Sequence, residues 1–382
     1  MQPGLTKVVT FPPGGGYGLS LCHLGHVSPA VYSWTTPGGC DQLSLTLYDP
    51  PRKRTEALNP GRLVKAYRGG SVVWRGILDE PTPAATGWQV TAHGSGTLGA
   101  DYLGIYSVTW GTGVFNDAVD QAIARGLAWV RSTDIGAVSG LWTGQQVDSG
   151  AQTVTDLLNL GCTKGGLTWQ VTTGPGDVDR LTVFALPTVA NRILIATAPV
   201  GQTIAAGPDA LYLRYQSSPD GATAATYALT SVTQDAVIAA QGRREDYTDL
   251  SSAGALTAGA AQNVGSAILK RFTRAGFTSP FTVQPGQLAN MGGVPVDPGT
   301  FYQDGASIMV CRVLLSDFAF AGEVTRGPVQ FLVGSYQWDD AAMTAQITPF
   351  DSITHNFSAL AQAAVNAIPV RAQATHKKKK GK

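Results

Sequence analysis

Charge is what this sequence has least of. Only 14% of its 382 residues are charged, against about 25% in an average globular protein. That excludes a coiled coil, a long solvent-bathed helical chain and a charged disordered chain. Glutamate is almost missing: Glu56, Glu80, Glu245 and Glu323 stand against 22 Asp. No stretch approaches the roughly 18 uninterrupted apolar residues of a membrane span. The start, MQPGLTKVVTFPPGGG, lacks a charged run followed by an apolar one, so no signal peptide is expected and the chain reads as folding in a cytoplasm. Cys22, Cys40, Cys162 and Cys311 are too widely and irregularly spaced for a disulfide framework. They read as isolated buried thiols. Five histidines leave few candidates for histidine chemistry, and neither G-x-S-x-G nor H-E-x-x-H occurs.

What is present is a composition of strands and turns. Hydrophobic residues make up 43%, with 46 Gly and 22 Pro. Few Glu and Lys in the body, with many Thr, Val and Gly, favour strands over helices. The length suggests two or three domains. Leu43, Leu45 and Leu47 alternate with Ser44, Thr46 and Tyr48, the period of a half-buried strand. Arg62–Tyr67, Ser71–Leu78 and Trp88–Ala92 continue the series, so residues 1–100 read as a first β-barrel-like domain. Residues 101–200 read as an inserted α+β unit. There Asn116 can cap a helix that Gly126 ends, and Thr153–Leu160 is a second helix ended by Gly161. Strands Leu167–Val171 and Arg180–Leu186 follow. Residues 201–355 read as a second β-barrel-like domain, with strands at Leu211–Tyr215, Thr226–Val232, Ser307–Leu315, Gln330–Gln337 and Met343–Thr348. One long helix, Ala258–Arg274, carries the stripe Ala261, Val264, Ile268 and Phe272. Residues 356–382 read as a C-terminal helix, with Phe357, Leu360, Ala364 and Ile368 on one face, and a basic tail. The expected fold is mainly β with an α+β insert.

Enzyme signatures do not survive inspection. Gly94-x-Gly96-x-x-Gly99 matches a dinucleotide fingerprint, but no helical stripe follows it, so a Gly-rich strand exit is the preferred reading. Cys22, His23, His26 and Cys40 fit no usual zinc spacing. The paired carboxylates Asp177/Asp179, Asp339/Asp340 and Glu245/Asp246 fall in expected turns or polar loops, where Asp bonds local backbone more often than it catalyses. No catalytic residue, metal or other cofactor is assigned. Trp110 and Trp142 sit in Gly/Thr/Ser-rich loops and are candidates for a contact surface. The sharpest feature is the tail, where Lys377, Lys378, Lys379, Lys380 and Lys382 crowd the last six residues. Without those five lysines, 22 basic residues face 26 acidic ones, a net of −4. The tail is a candidate contact for phosphates, such as DNA, or for an acidic partner.

The order of segments carries a family resemblance. The run GRLVKAYRGGSVVWRGILDEPTPAATGWQVTAHGSGTLGADYL, residues 61–103, resembles the first β domain of minor tail proteins from long-tailed actinobacterial phages. The stretch Asn116–Trp129 (NDAVDQAIARGLAW) and the helix Thr153–Leu158 (TVTDLL) continue the likeness, which covers most of residues 40–190. The resemblance implies the baseplate or tail-tip hub. In that scheme three copies, each with two related β-barrel domains, join a six-fold tail tube to a three-fold tip. It further implies a homotrimer in the virion, not an enzyme. The implied partners are the tail tube, the distal tail protein, other tail-tip or tape-measure proteins, and viral DNA in the channel. A low-charge chain built for subunit contacts fits this scheme, and an acidic body suits a channel that DNA slides through. The neighbouring readings are a hexameric distal tail protein, a host-glycan-binding module using Trp110 and Trp142, and a cell-wall hydrolase. For the last, no further domain is expected after the second β domain.

Overall fold

The computed structural model describes residues 6–349, except 14, 49–55, 108–112, 132–134, 136–137, 139–148, 151, 166, 175–177, 186–189, 195–201, 204–207, 219–223, 252–255, 273–275, 278–279, 302–309 and 314–328. The C-terminal helix expected after residue 355 lies outside the described residues.

The main strands, in chain order, begin with β1 (Lys7–Phe11), β2 (Val31–Thr35), β3 (Gly38–Tyr48), β4 (Leu63–Arg68), β5 (Ser71–Leu78) and β6 (Gly87–Gly94). Helix α1 (Gly113–Ala124), strand β7 (Trp129–Arg131), helix α2 (Val154–Gly165), and strands β8 (Leu167–Gly174) and β9 (Val178–Ala185) follow. Then come β10 (Ala210–Gln216), β11 (Tyr227–Thr233), α3 (Asp235–Gln241), β12 (Glu245–Asp249) and α4 (Ala258–Phe272), and finally β13 (Val329–Asp339) and β14 (Thr344–Pro349). The chain is mainly β with small helical parts, as its composition implies. It divides into two compact units. The first takes Met1–Trp142, Ser149–Thr203 and Ala275–Ile353; the described part of the second lies within Ile204–Arg274.

In the first unit β3 is the central strand. Leu43, Leu45 and Leu47 are buried and the residues between them half-buried, so the period of two read from the sequence is the period of the fold. Full burial of each leucine contributes about 1.5–3 kcal/mol. Strand β3 pairs antiparallel with β2 and β6, and β6 with β5, β5 with β4, and β4 with β1. The late strands return to the early ones: β13 pairs with β14 on one side and with β2 on the other, Trp338 opposite Tyr32. The core therefore mixes Val8, Tyr32, Trp34, Leu43 and Trp74 with Tyr336, Trp338 and Ile347. Traced strand by strand, the pairings form an open, branched sheet; among the described residues no barrel closes.

The α+β part joins this sheet through a parallel pairing of β3 with β8, Val171 opposite Gly39. Gly39 has φ +119°, and a Cβ there would strike the Val171 carbonyl oxygen, so only glycine fits. Helix α2 starts with a reciprocal cap. Thr153 Oγ1 accepts from the Asp156 N–H (3.1 Å), and Asp156 Oδ2 accepts from the Thr153 N–H (3.2 Å). The helix continues past Gly161 to Gly165 because Leu157, Leu158, Leu160 and Cys162 are all buried, and packing outweighs the cost of one glycine. Helix α1 begins before Asn116, the expected cap. Asn116 Oδ1 instead accepts from the Ile135 N–H (3.0 Å).

The second unit is a three-stranded sheet in the order β11-β10-β12, antiparallel then parallel. Leu211, Leu213 and Tyr215 on one face meet Ala261, Val264, Ile268 and Leu269 of α4. Of the expected stripe, Ala261, Val264 and Ile268 are buried. Gly265 lets the helix approach, since a Cβ there would run into Leu213.

Candidate functional site

The most developed polar arrangement is buried in the first unit, where the earliest and latest strands meet. Arg68 ends β4 with its side chain 1% exposed. Its Nε donates to Asp297 Oδ2 and its Nη1 to Asp340 Oδ1, both at 2.7 Å. The guanidinium carbon lies 4.7 Å from the Trp338 ring centre, a cation–π contact. Trp338 Nε1 donates to the same Asp340 Oδ1 at 2.6 Å, and the Thr6 N–H donates to Oδ2 at 3.0 Å. A buried carboxylate is tolerated here because each oxygen is bonded.

Around this cluster, hydroxyls cap a tight turn. Asp297 accepts from the Gly299 N–H at 2.9 Å and opens the short 3-10 turn Pro298–Thr300. Tyr336 Oη donates to the Pro298 carbonyl (2.6 Å), and Tyr32 Oη to that of Gly299 (3.0 Å). Phe301 stacks on Tyr336 with ring centres 4.5 Å apart. Gly299 is required, because a Cβ there would strike the Arg68 side chain. Burial, then the nearby carboxylates, push the Tyr32 hydroxyl above the ordinary tyrosine range, while Thr6 and Arg68 oppose them. Burial alone would lower Arg68, but Asp297, Tyr32 and Asp340 raise it, so the guanidinium stays charged.

A second buried pair ties in the α+β part. Arg75 Nε lies 3.1 Å from Asp179 Oδ2, which is 3% exposed, and Thr173 Oγ1 donates to Asp179 Oδ1 at 3.1 Å. Trp129 Nε1 donates to the Ser95 carbonyl at 2.8 Å.

The sequence candidates distribute as follows. Trp110, Trp142 and the five tail lysines lie outside the described residues. Gly94 and Gly96 pack against the Cys40 and Gly38 backbone, and Gly99 against Trp129 and Thr155. This glycine motif thus serves close packing at the exit of β6. His26 stacks on Tyr48, and Cys40 is held in β3. The carboxylate pairs are not loop features throughout. Asp179 lies in β9 and Glu245/Asp246 in β12, and Asp340 is a buried ion-pair partner. Asp339 behaves as a turn residue, accepting from the Ala341 and Ala342 N–H groups, and Asp177 lies outside the described residues. His93 Nδ1 lies 2.5 Å from Asp79 Oδ1, with Asp101 Oδ2 at 4.0 Å from Nε2. This half-exposed clasp joins the ends of β5 and β6, and among the described residues no hydroxyl or thiol bonds the ring. A histidine and an acid without a nucleophile do not make a catalytic set. No described helix is long and apolar enough to cross a membrane.

No family model matches this chain, and no curated protein matches it. Solved structures do. The 43 kDa tail protein of prophage MuSo2 from Shewanella oneidensis superposes with a TM-score of 0.54 at 16% identity, over 91% of this chain and 100% of the other. Prophage tail protein gp18 from Listeria monocytogenes gives 0.54 at 10%, over 95% and 99%. The tail protein from Neisseria meningitidis MC58 gives 0.53 at 12%, over 91% and 96%. The chain thus has the fold of phage tail proteins along nearly its whole length.

Two outcomes follow from the cluster and the thiols. Arg68→Met leaves Asp340 charged and buried without its partner, and should cost about 3–5 kcal/mol in urea unfolding. Arg68→Lys should recover little, because a single ammonium cannot bond both carboxylates in the fork geometry. Burial pushes the Cys40 and Cys162 thiols from 9.0 up to about 12, whereas Cys22 is exposed. At pH 8 Cys22 should react with a thiol reagent while Cys40 and Cys162 react only on unfolding. The stability these two neutral thiols supply is complete below pH 9 and is lost as pH rises towards 12. The urea midpoint should therefore fall across that window.

Proposed function

We propose that this chain is a structural phage tail protein, the hub at the tail tip, in which three copies join the six-fold tube to a three-fold tip and line the channel for DNA. The observation that carries this reading is the fold shared with three tail proteins over more than nine-tenths of both chains. Physical character supports it. The polar groups buried in the first unit serve to lock strands together, and the low charge suits a chain whose surface meets other subunits. In this reading the tail tube, the distal tail protein and the tape-measure protein are neighbours, and the role is non-enzymatic. Lys377, Lys378, Lys379, Lys380 and Lys382 contact DNA or an acidic partner.

The mass and rotational symmetry of the purified protein, or of the tail containing it, test the assembly. Three copies are expected. A six-fold ring would move the chain to the distal tail position, and a monomer that degrades cell-wall material would overturn the structural role. Removing 377–382 tests the tail separately. Binding to a short DNA duplex at low salt should fall about tenfold and lose part of its salt dependence. Unchanged binding together with unchanged DNA ejection would remove the lysines from the mechanism.

A further inference from the structure

The second unit leaves both edges of its sheet uncovered among the described residues. Strand β11 pairs only with β10 on one side, and β12 only with β10 on the other. Edge strands of this kind are normally protected by charge, proline, a bulge or shortness. Strand β11, with the sequence YALTSVT, has none of these. It runs seven residues in unbroken register, without a charge or a proline. It alternates exposed and half-exposed positions throughout, with Leu229 at 61% and Tyr227 at 47%. Strand β12 is different: its five residues, EDYTD, carry three carboxylates.

These two edges fit each other in strand sense and in charge. Strand β11 is antiparallel to β10 and β12 is parallel to it. A β12 edge therefore meets the β11 edge of another copy in antiparallel sense and extends the sheet without reversal. Pairing β12 with β12 would set carboxylates against carboxylates. The open face holds Tyr227, Leu229, Ser231 and Thr233 on β11 and Glu245, Tyr247 and Asp249 on β12, while Thr248 points into the core. Keeping that face continuous restricts the register to steps of two residues. One full-length register sets Thr233 opposite Glu245, Ser231 opposite Tyr247 and Leu229 opposite Asp249. It also brings Asp235, at the start of α3, opposite Arg243, just before β12. Both are exposed. Within one copy, Arg243 bonds Glu245 Oε1 (2.5 Å) and the Tyr212 hydroxyl (3.2 Å), and Asp235 accepts from Thr233 Oγ1 (2.8 Å).

We propose that the second unit is an assembly module in which β12 of one copy pairs antiparallel with β11 of the next, in the register that sets Asp235 against Arg243. Such a head-to-tail contact leaves no free edge only when it closes into a ring. Three copies would give a continuous nine-stranded sheet. This inference rests on the oligomeric reading above and names its contact.

The geometry supplies a selective test. Ser231 and Tyr247 both lie opposite Tyr212, one strand away on either side. Their Cα atoms are then about 9.5 Å apart within a chain, beyond the roughly 7 Å limit for a disulfide. In full-length protein carrying Cys22→Ser, the pair Ser231→Cys and Tyr247→Cys can cross-link only between copies. Under mild oxidation it should give a covalent trimer on a denaturing gel. No cross-link from this pair, or a dimer from Ser231→Cys alone, overturns the proposal. A trimer by native mass without the cross-link sinks this contact and leaves the hub reading standing. Cross-linked rings of another size keep the contact and sink the hub. Charge gives an independent check. Asp235→Arg and Arg243→Asp should each weaken assembly about three- to fivefold, and the double exchange should restore it. Additive losses in the double variant would count against the register.

Discussion

The fold depends on keeping one guanidinium charged in its interior. Arg68 is reached from three directions. Asp297 comes from the turn before Phe301, Asp340 from the end of β13, and Trp338 covers its face. Asp340 also fixes the start of the described chain through the Thr6 N–H. Charges placed there without partners would cost several kcal/mol each. Strand β13 must lie beside β2 before Asp340 and Trp338 can reach Arg68. Hydrophobic burial alone would tolerate several registers of β13 on β2. The bond from Asp340 to Arg68, with Tyr336 and Tyr32 both donating into the Pro298–Gly299 turn, tolerates one.

That arrangement explains what the sequence could and could not reveal. Period-two alternation is a local property, so β3 and β5 and the stripe of α4 were legible from Leu43, Leu45 and Leu47, from Ser71–Leu78, and from Ala261, Val264 and Ile268. Pairing partners are not local. Nothing in the residues around Trp34 states that Tyr336 will lie opposite, some 300 positions away in the chain. The buried cluster was missed for a related reason. Asp339 and Asp340 look alike as an acidic turn, yet one faces the turn amides and the other the core. A signal existed: Tyr336, Trp338 and Asp340 are spaced by two, so the strand's own period carries the acid inward behind two aromatic rings. Asp179 followed the same rule in β9, where Asp179, Leu181 and Val183 are all buried.

The glycines at the exit of β6 show why such a motif reads two ways from sequence. A phosphate-binding loop and a crowded backbone crossing both demand residues without a Cβ. At Gly94 and Gly96 the atoms that occupy the missing side chain's space belong to Cys40 and Gly38 of the neighbouring strand. The sequence alone shows that something approaches closely. Only the pairing of β3, β6 and β8 shows that the approaching group is protein.

The two units differ in how far they complete themselves. The first draws its core from residues 8 to 347, and buried ion pairs bind its ends together. The second packs helix α4 on one face of three strands, and Tyr227, Leu229 and Tyr247 remain exposed on the other. Arg214 lies in the middle of that open face. It stacks on Tyr227 at 4.4 Å and pairs with Asp249 at 3.0 Å, both in solvent reach. A charged residue there keeps the face soluble while it is uncovered, but it does not shield the backbone edges beside it. Three strands with an apolar face packed on a helix meet the minimum for a sheet that is stable by itself. In the proposed assembly, pairing at the free edges adds to that stability. The first unit joins its own ends through a buried ion pair, and in the proposed assembly the two free edges of the second contribute free energy that depends on a neighbouring copy.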